Sequence, residues 1–187
     1  MNDEKSEITA SGGEPPETPP AQQPEPYPDH PLEKEISAAF GAPLAARLNF
    51  GELELKLRPE QLIPVCSFLK SHPRTPFNYL RNLTAVDYKD RFEIVCHLCA
   101  LSTMDNLIIK VELERENPAV PSLCSVWSAA DWQEREVFDL FGITFTGHPD
   151  LRRILLPDEW EGHPLRKDYT IEEKKVENWK EALKHRN

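Results

Sequence analysis

Residues 91–114 read Arg-Phe-Glu-Ile-Val-Cys-His-Leu-Cys-Ala-Leu-Ser-Thr-Met-Asp-Asn-Leu-Ile-Ile-Lys-Val-Glu-Leu-Glu. Residues 91–101 form one β-rich run and residues 107–114 a second, in which Glu112 and Glu114 alternate with Val111 and Leu113. Residues 102–106 supply the turn, so the spacing predicts a strand pair joined locally. Upstream, residues 44–50 and 53–57 predict two more short strands. Leu53, Leu55 and Leu57 alternate there with Glu54 and Lys56. Helical spacing marks Leu32, Ile36, Ala39 and Phe40, with Gly41 as a stop. Pro59 suits a first helical position, and Leu62, Val65, Cys66 and Leu69 give that helix its apolar face, with Pro64 set to tighten or kink it. Residues 77–87 are ambiguous. A long helix is expected over 125–141, closed by Gly142 in a left-handed cap. Helices mixed with adjacent hairpins, rather than strict βαβ units, predict an α+β fold. The expected architecture is a two-layer sandwich of helices on a mixed or antiparallel sheet, with an irregular C-terminal segment.

The chain has 187 residues, which at about 150 per domain holds one domain with a tail. Its mean hydropathy of -0.56 and the lack of any run near the ~20 apolar residues of a membrane span argue against an integral membrane protein. The formal charge of -10 opposes binding to nucleic acid or anionic lipid. Eight of the 18 prolines lie between Pro15 and Pro31, and residues 1–31 hold seven acids against one base. Such a stretch lacks the apolar surface to offset its ordering entropy and is expected to be disordered. It resembles neither a secretory signal nor a mitochondrial transit peptide, which points to the bacterial cytoplasm. The expected domain spans 32–169, followed by a charged helix or tail over 170–187. In that tail Val176, Trp179 and Leu183 share one side.

The four cysteines, Cys66, Cys96, Cys99 and Cys124, are expected as buried free thiols. Cys96 and Cys99 are spaced like a ligand pair, but on a strand they face opposite ways. On a helical wheel, Val126, Trp127, Ala130, Val137, Phe138 and Phe141 share an apolar arc. Asp131, Arg135, Glu136 and Asp139 lie opposite, with Trp132 among them and Asp131 four residues before Arg135 as an ion pair. Glu134 falls inside the apolar arc, so it needs a buried partner. Arg152, Arg153 and Arg166 are the expected candidates.

Downstream, one arrangement occurs twice. Gly147-His148-Pro149 precedes Leu151-Arg152-Arg153, and Gly162-His163-Pro164 precedes Leu165-Arg166-Lys167. Each is a turn, an apolar anchor and two adjacent bases. A rigid ionic surface with Trp and Arg is what a protein–protein hot spot uses, and enzyme sites use such groups too.

Trp132-x-Glu134-Arg135-Glu136-x-x-Asp139-x-Phe141-Gly142-Ile143, the two turn motifs above, and the closing Glu161-Gly-His-Pro-Leu-Arg-Lys-Asp-Tyr169 resemble the thirty-kilodalton subunit family of the respiratory NADH-quinone oxidoreductase, complex I. Leu80-Arg-Asn-Leu-Thr-Ala-Val-Asp-Tyr88 resembles it as well. Family members typically continue with Pro-Leu-x-Gly after the Lys-Asp-Tyr run, where this chain has Thr170-Ile171-Glu172-Glu173, so contacts of the family's C-terminal tail do not carry over.

The resemblance implies a hydrophilic, non-redox scaffold subunit in the peripheral arm of a proton-translocating NADH:quinone oxidoreductase, on the cytoplasmic face of the bacterial membrane. In such a complex electrons pass from NADH through FMN and iron–sulfur clusters to quinone. This chain is expected to bind no cofactor or metal, and to be non-catalytic alone. Its implied partners are the large quinone-site subunit and the cluster-bearing neighbour of that subunit, with membrane association only through the complex and no nucleic acid. The residues assigned to subunit interface or structural motif are Trp132, Glu134, Arg135, Glu136, Asp139, His148, Arg152, Arg153, His163, Arg166, Lys167 and Asp168. Alternatives are the equivalent subunit of a membrane-bound hydrogenase or a ferredoxin-dependent plastoquinone oxidoreductase. A free metal-dependent hydrolase using His148, Asp150, Glu161 and His163 is a further one.

Overall fold

The computed structural model describes residues 30–43 and 45–170. Residues 1–29 of the acidic tail expected over 1–31, and residues 171–187 of the charged helix or tail expected over 170–187, lie outside the described residues. The first helix, α1 (Pro31–Phe40), begins where the His30 ring accepts the Leu32 N–H and ends at Gly41, whose N–H donates to the Ser37 carbonyl. Strands β1 (Ala45–Asn49) and β2 (Glu52–Leu57) follow, then α2 (Pro59–Lys70), with Pro59 in its first turn and Pro64 carried inside it. Gln61 Nε2 donates to the carbonyls of Phe40, Gly41 and Ala42, fastening the end of α1 to the start of α2.

The ambiguous stretch resolves as β3 (Tyr79–Asp87), paired antiparallel with β4 (Arg91–Ala100). A register shift between Leu80 and Asn82 breaks the alternation there, which hid the period-2 signal. Strand β5 (Asp105–Glu114) pairs antiparallel with β4 and parallel with β2, giving the sheet order β1-β2-β5-β4-β3. This is the expected α+β class with a mixed sheet.

One face of the sheet is apolar. Leu55, Leu57, Phe92, Ile94, Ile109 and Val111 meet Ile36 of α1, Leu62, Val65 and Leu69 of α2, and residues of the third helix in one core cluster. The other face alternates with it and carries ion pairs: Arg47 and Lys110 on Glu54, and Lys56 and Arg91 on Glu112. Glu54 is buried despite facing outward, and burial works against its charge. Lys110 and Arg47 outweigh that and hold its carboxyl below the usual range.

A separate parallel pair, β6 (Ala119–Pro121) with β7 (Thr144–Thr146), was not expected. Between them runs α3 (Ala130–Phe141), five residues shorter than the 125–141 expectation. The helical spacing before Ala130 is real, but the chain turns there instead. The Val126 and Trp127 amides both donate to the Leu123 carbonyl, and the Cys124 amide donates to Ser122 Oγ. Gly142 closes α3 in the left-handed region (φ 71°, ψ 30°), as expected.

Candidate functional site: helix α3 and the coil around it

The coil after β7 covers the flank of α3 that the wheel assigned to solvent. Arg135 and Asp139 are therefore buried, against expectation, while Trp132 and Glu136 stay exposed. Arg135 does not pair with Asp131. Its guanidinium donates to the carbonyls of Arg152 and Arg153 and lies 5.1 Å from the Trp132 ring.

Asp139 clasps the helix to the coil. Its Oδ2 accepts the amides of Ile154, Leu155 and Leu156, and its Oδ1 accepts Arg153 Nη1 at 2.6 Å. Burial alone would raise this carboxyl. The Leu156 amide, Arg153 and the other two amides outweigh it and hold Asp139 below the ordinary carboxylate range. Arg153 reaches on to the carbonyls of Trp160 and Gly162, so one guanidinium ties three segments. His163 Nδ1 meets the Asp139 carbonyl at 2.9 Å, and Arg166 caps α3 by donating to the Phe141 carbonyl. Burial lowers the His163 pKa, with Arg166 and Arg153 adding to it, so the ring is neutral at pH 7 and donates from Nδ1. Gly142 is required here. A Cβ on it would lie 2.5 Å from the His163 ring and 2.9 Å from Arg166 Nη2.

At the sheet end, Asp87 accepts Arg115 Nη1 at 2.7 Å and the amides of Lys89 and Lys167. Arg115 also pairs with Asp168 at 2.8 Å. Burial opposes the Asp87 charge, but Arg115 and the two amides pull its pKa to about 2. These contacts join β3 to the last described turn. Sequence reading missed Asp87 and Arg115 because nothing local signals a partner so distant along the chain.

Glu134 is fully buried, as the wheel predicts, but its partner is not an arginine. Arg153 serves Asp139, Arg166 serves the helix end, and Arg152 is exposed and bonded to Asp150. Glu134 instead accepts Ser122 Oγ and the Leu123 amide, both at 2.6 Å, and the Cys124 thiol at 3.6 Å. With only neutral donors, burial pushes its pKa up. The β6–β7 pair brings these turn residues to α3, and no periodicity in the sequence encodes that.

The two turn motifs are not equivalent. Leu151 packs against the core, whereas Leu165 is 51% exposed and held by its amide on the Leu140 carbonyl, so it does not anchor its turn. Gly147 and Gly162 both take positive φ. His148 accepts the Asp150 amide at Nδ1 and places Nε2 3.2 Å from the Asp131 carbonyl, while His163 faces Asp139. The hydrolase set of His148, Asp150, Glu161 and His163 is not brought together among the described residues. The exposed large apolar residues beside the clasp are Trp132 (65%), Leu155 (59%) and Leu165 (51%).

Residues 55–175 match the family model described as the respiratory-chain NADH dehydrogenase 30 Kd subunit. A curated NADH-quinone oxidoreductase subunit of Roseiflexus sp. is 47% identical over 143 residues, covering 75% of this chain and 82% of that one. The protein of the same name from Chlorobium phaeobacteroides is 43% identical over 157 residues, covering 76% of this chain and 95% of its own. A solved trypsin-resistant fragment of Nqo5 is 32% identical, with a TM-score of 0.50 over 54% of this chain and 83% of the fragment. A chain of the archaeal membrane-bound sulfane sulfur reductase shares the fold, with a TM-score of 0.65 at 22% identity over 82% of this chain and 90% of that one. Among the described residues, no helix is long and apolar enough to cross a membrane. The motif match over α3 and its coil, the family model and the curated relatives agree that this chain belongs to the 30 kDa subunit family of the respiratory NADH dehydrogenase, complex I.

Proposed function

We propose that the chain is a non-redox scaffold of the peripheral arm. It braces the large quinone-site subunit and the cluster-bearing neighbour of that subunit while electrons pass from NADH through FMN and iron–sulfur clusters to quinone. The observation that carries this reading is how the motif residues are used. Arg135, Asp139, Arg153, His163 and Arg166 bond within the chain, and Trp132, Leu155 and Leu165 remain uncovered beside them. A stiff plate with outward apolar groups suits docking better than turnover. Arg152, exposed and paired with the neighbouring Asp150, is placed to fork onto a partner's carboxylate. The chain sits on the cytoplasmic face through its partners and is inert alone. Affinity capture of the full chain from native membranes in mild detergent tests this. The quinone-site subunit and its neighbour should come with it, Arg152→Ala should weaken the capture, and the isolated chain should show no quinone reduction. Recovery of the chain without companions, or turnover by it unaided, overturns the reading.

A further inference from the structure

Beside the Asp139 clasp, at the N-terminal half of α3, lies a second polar cluster that the scaffold role does not use. Cys124 Sγ, a Glu134 carboxylate oxygen and a His148 ring nitrogen lie within 4.8 Å of one another. They come from three places: the turn after β6, helix α3, and the turn after β7. Asp131, one turn before Glu134, puts Oδ1 3.4 Å from His148 Nε2, and that oxygen is buried with no hydrogen-bond partner. We propose that Cys124, Glu134 and His148 form a binding site for a borderline-soft divalent cation of the zinc class, with Asp131 beside His148. This departs from the expectation of a metal-free chain.

The charge balance supports the site. A buried carboxylate needs a cation or enough donors to replace water. Glu134 has three neutral donors and no cation. Asp131 Oδ1 accepts nothing. His148 Nδ1 already accepts the Asp150 amide. Arg135, the nearest base in sequence, bonds the carbonyls of Arg152 and Arg153. A divalent ion would supply the missing positive charge.

The spacing fits as well. Cys124 Sγ and Glu134 Oε2 are 3.6 Å apart, and a His148 ring nitrogen lies within 4.8 Å of both ligand atoms. Tetrahedral zinc, with ligands at about 2.0–2.3 Å, sets neighbouring donors roughly 3.3–3.6 Å apart. Thiolate with imidazole and carboxylate selects the zinc class over magnesium or calcium, which take oxygen. Ser122 keeps its bond to Glu134 and orients that ligand. On binding, the Cys124 thiol and any protonated Glu134 carboxyl lose their protons to solvent. The His148 ring proton moves from Nε2 to Nδ1, and the Asp150 amide turns out to water from its exposed turn. The three protein donors would pin both turns to α3 through the ion, with water completing a tetrahedral shell.

The test uses the untagged full chain, reduced and stripped with chelator, with Co2+ as the probe. Saturation at one ion per chain is expected. It should give tetrahedral d–d bands and a thiolate-to-cobalt charge-transfer band, all displaced by Zn2+. Cys124→Ser should abolish the charge-transfer band and weaken binding at least about ten-fold. Cys99→Ser, altering a buried thiol outside the cluster, should change neither. Zn2+ should raise the thermal midpoint of the wild type and of Cys99→Ser but not of Cys124→Ser. No saturable band, or a band that persists in Cys124→Ser, overturns the site. Neither result bears on whether the chain is a scaffold.

Discussion

Asp87 and Glu134 are both buried carboxylates, and only Asp87 has a cation beside it. Their pH signatures should therefore run in opposite directions. Asp87 ionises at about 2 in the folded chain, against roughly 3.9 unfolded. Its contribution is present above the unfolded value and lost as pH falls from about 4 towards 2. Allowing for solvent screening it amounts to roughly 1–2 kcal/mol. Asp87→Asn should lose about that much at pH 7 and flatten the stability curve below pH 4, read by urea unfolding across a pH series. Glu134 is raised, first by its burial. Its protonated form favours folding, so that contribution is complete below the unfolded value of about 4.3 and is lost as pH rises through the folded one. In chelator, Glu134→Gln should remove this decline. Its one oxygen can still accept the Leu123 amide while its NH2 donates to the Ser122 hydroxyl oxygen, and its stability at neutral pH should be no lower than wild type. A neutral-pH loss of several kcal/mol in Glu134→Gln would mean that the charged form is the one the fold satisfies.

Helix α3 and its coil form one unit because a single carboxylate takes three amides and a guanidinium at once. Asp139→Asn cannot serve both sides. The new amide must face either Arg153 or three backbone N–H groups, leaving buried donors unpaired. The expected cost is about 3 kcal/mol in denaturant unfolding, with protease cutting first in the coil of residues 151–166. Most elements were legible in the sequence where one period dominates. Leu53, Leu55 and Leu57 gave β2 away, and the alternating 107–114 run gave β5. Strand β3 was not legible because the slip between Leu80 and Asn82 erases its alternation. The start of α3 was missed because Val126 and Trp127 keep helical spacing while their amides turn onto Leu123. At the site, the burial of Glu134 was legible from the wheel, since it depends on the helix alone. Its partners Ser122 and Leu123 were not, and neither was the burial of Arg135 and Asp139. Those depend on two turns and a coil whose course no repeat in the sequence encodes.

The described residues offer partners surfaces of different character. The outer sheet face carries ion pairs already made: Glu54 holds Arg47 and Lys110, and Glu112 holds Lys56 and Arg91. Docking there would break pairs already made, so that face is a poor anchor. The hairpin tips expose Phe50 and Met104, both at positive φ and lining one cleft, with Leu101 also exposed in the turn before Met104. The α3 flank exposes Trp132, Leu155 and Leu165. Trp132 and Leu140 fall on one side of the helix, and the amides of Leu155 and Leu165 are tied to Asp139 and Leu140. Its backing is rigid, so a partner ordering Trp132 and Leu165 gives up little conformational entropy. Replacing both by alanine should therefore act on assembly rather than folding. The unfolding free energy should shift by less than about 1 kcal/mol, since both side chains are mostly exposed. Association should fall by roughly thirty-fold or more, the scale of losing one aromatic hot spot. Co-purification of the variant from native membranes measures this, with Phe50→Ser as the comparison. If Phe50→Ser abolishes capture and the α3 variant does not, the docking face is the hairpin end of the sheet, and the Asp139 clasp only holds the chain's own coil.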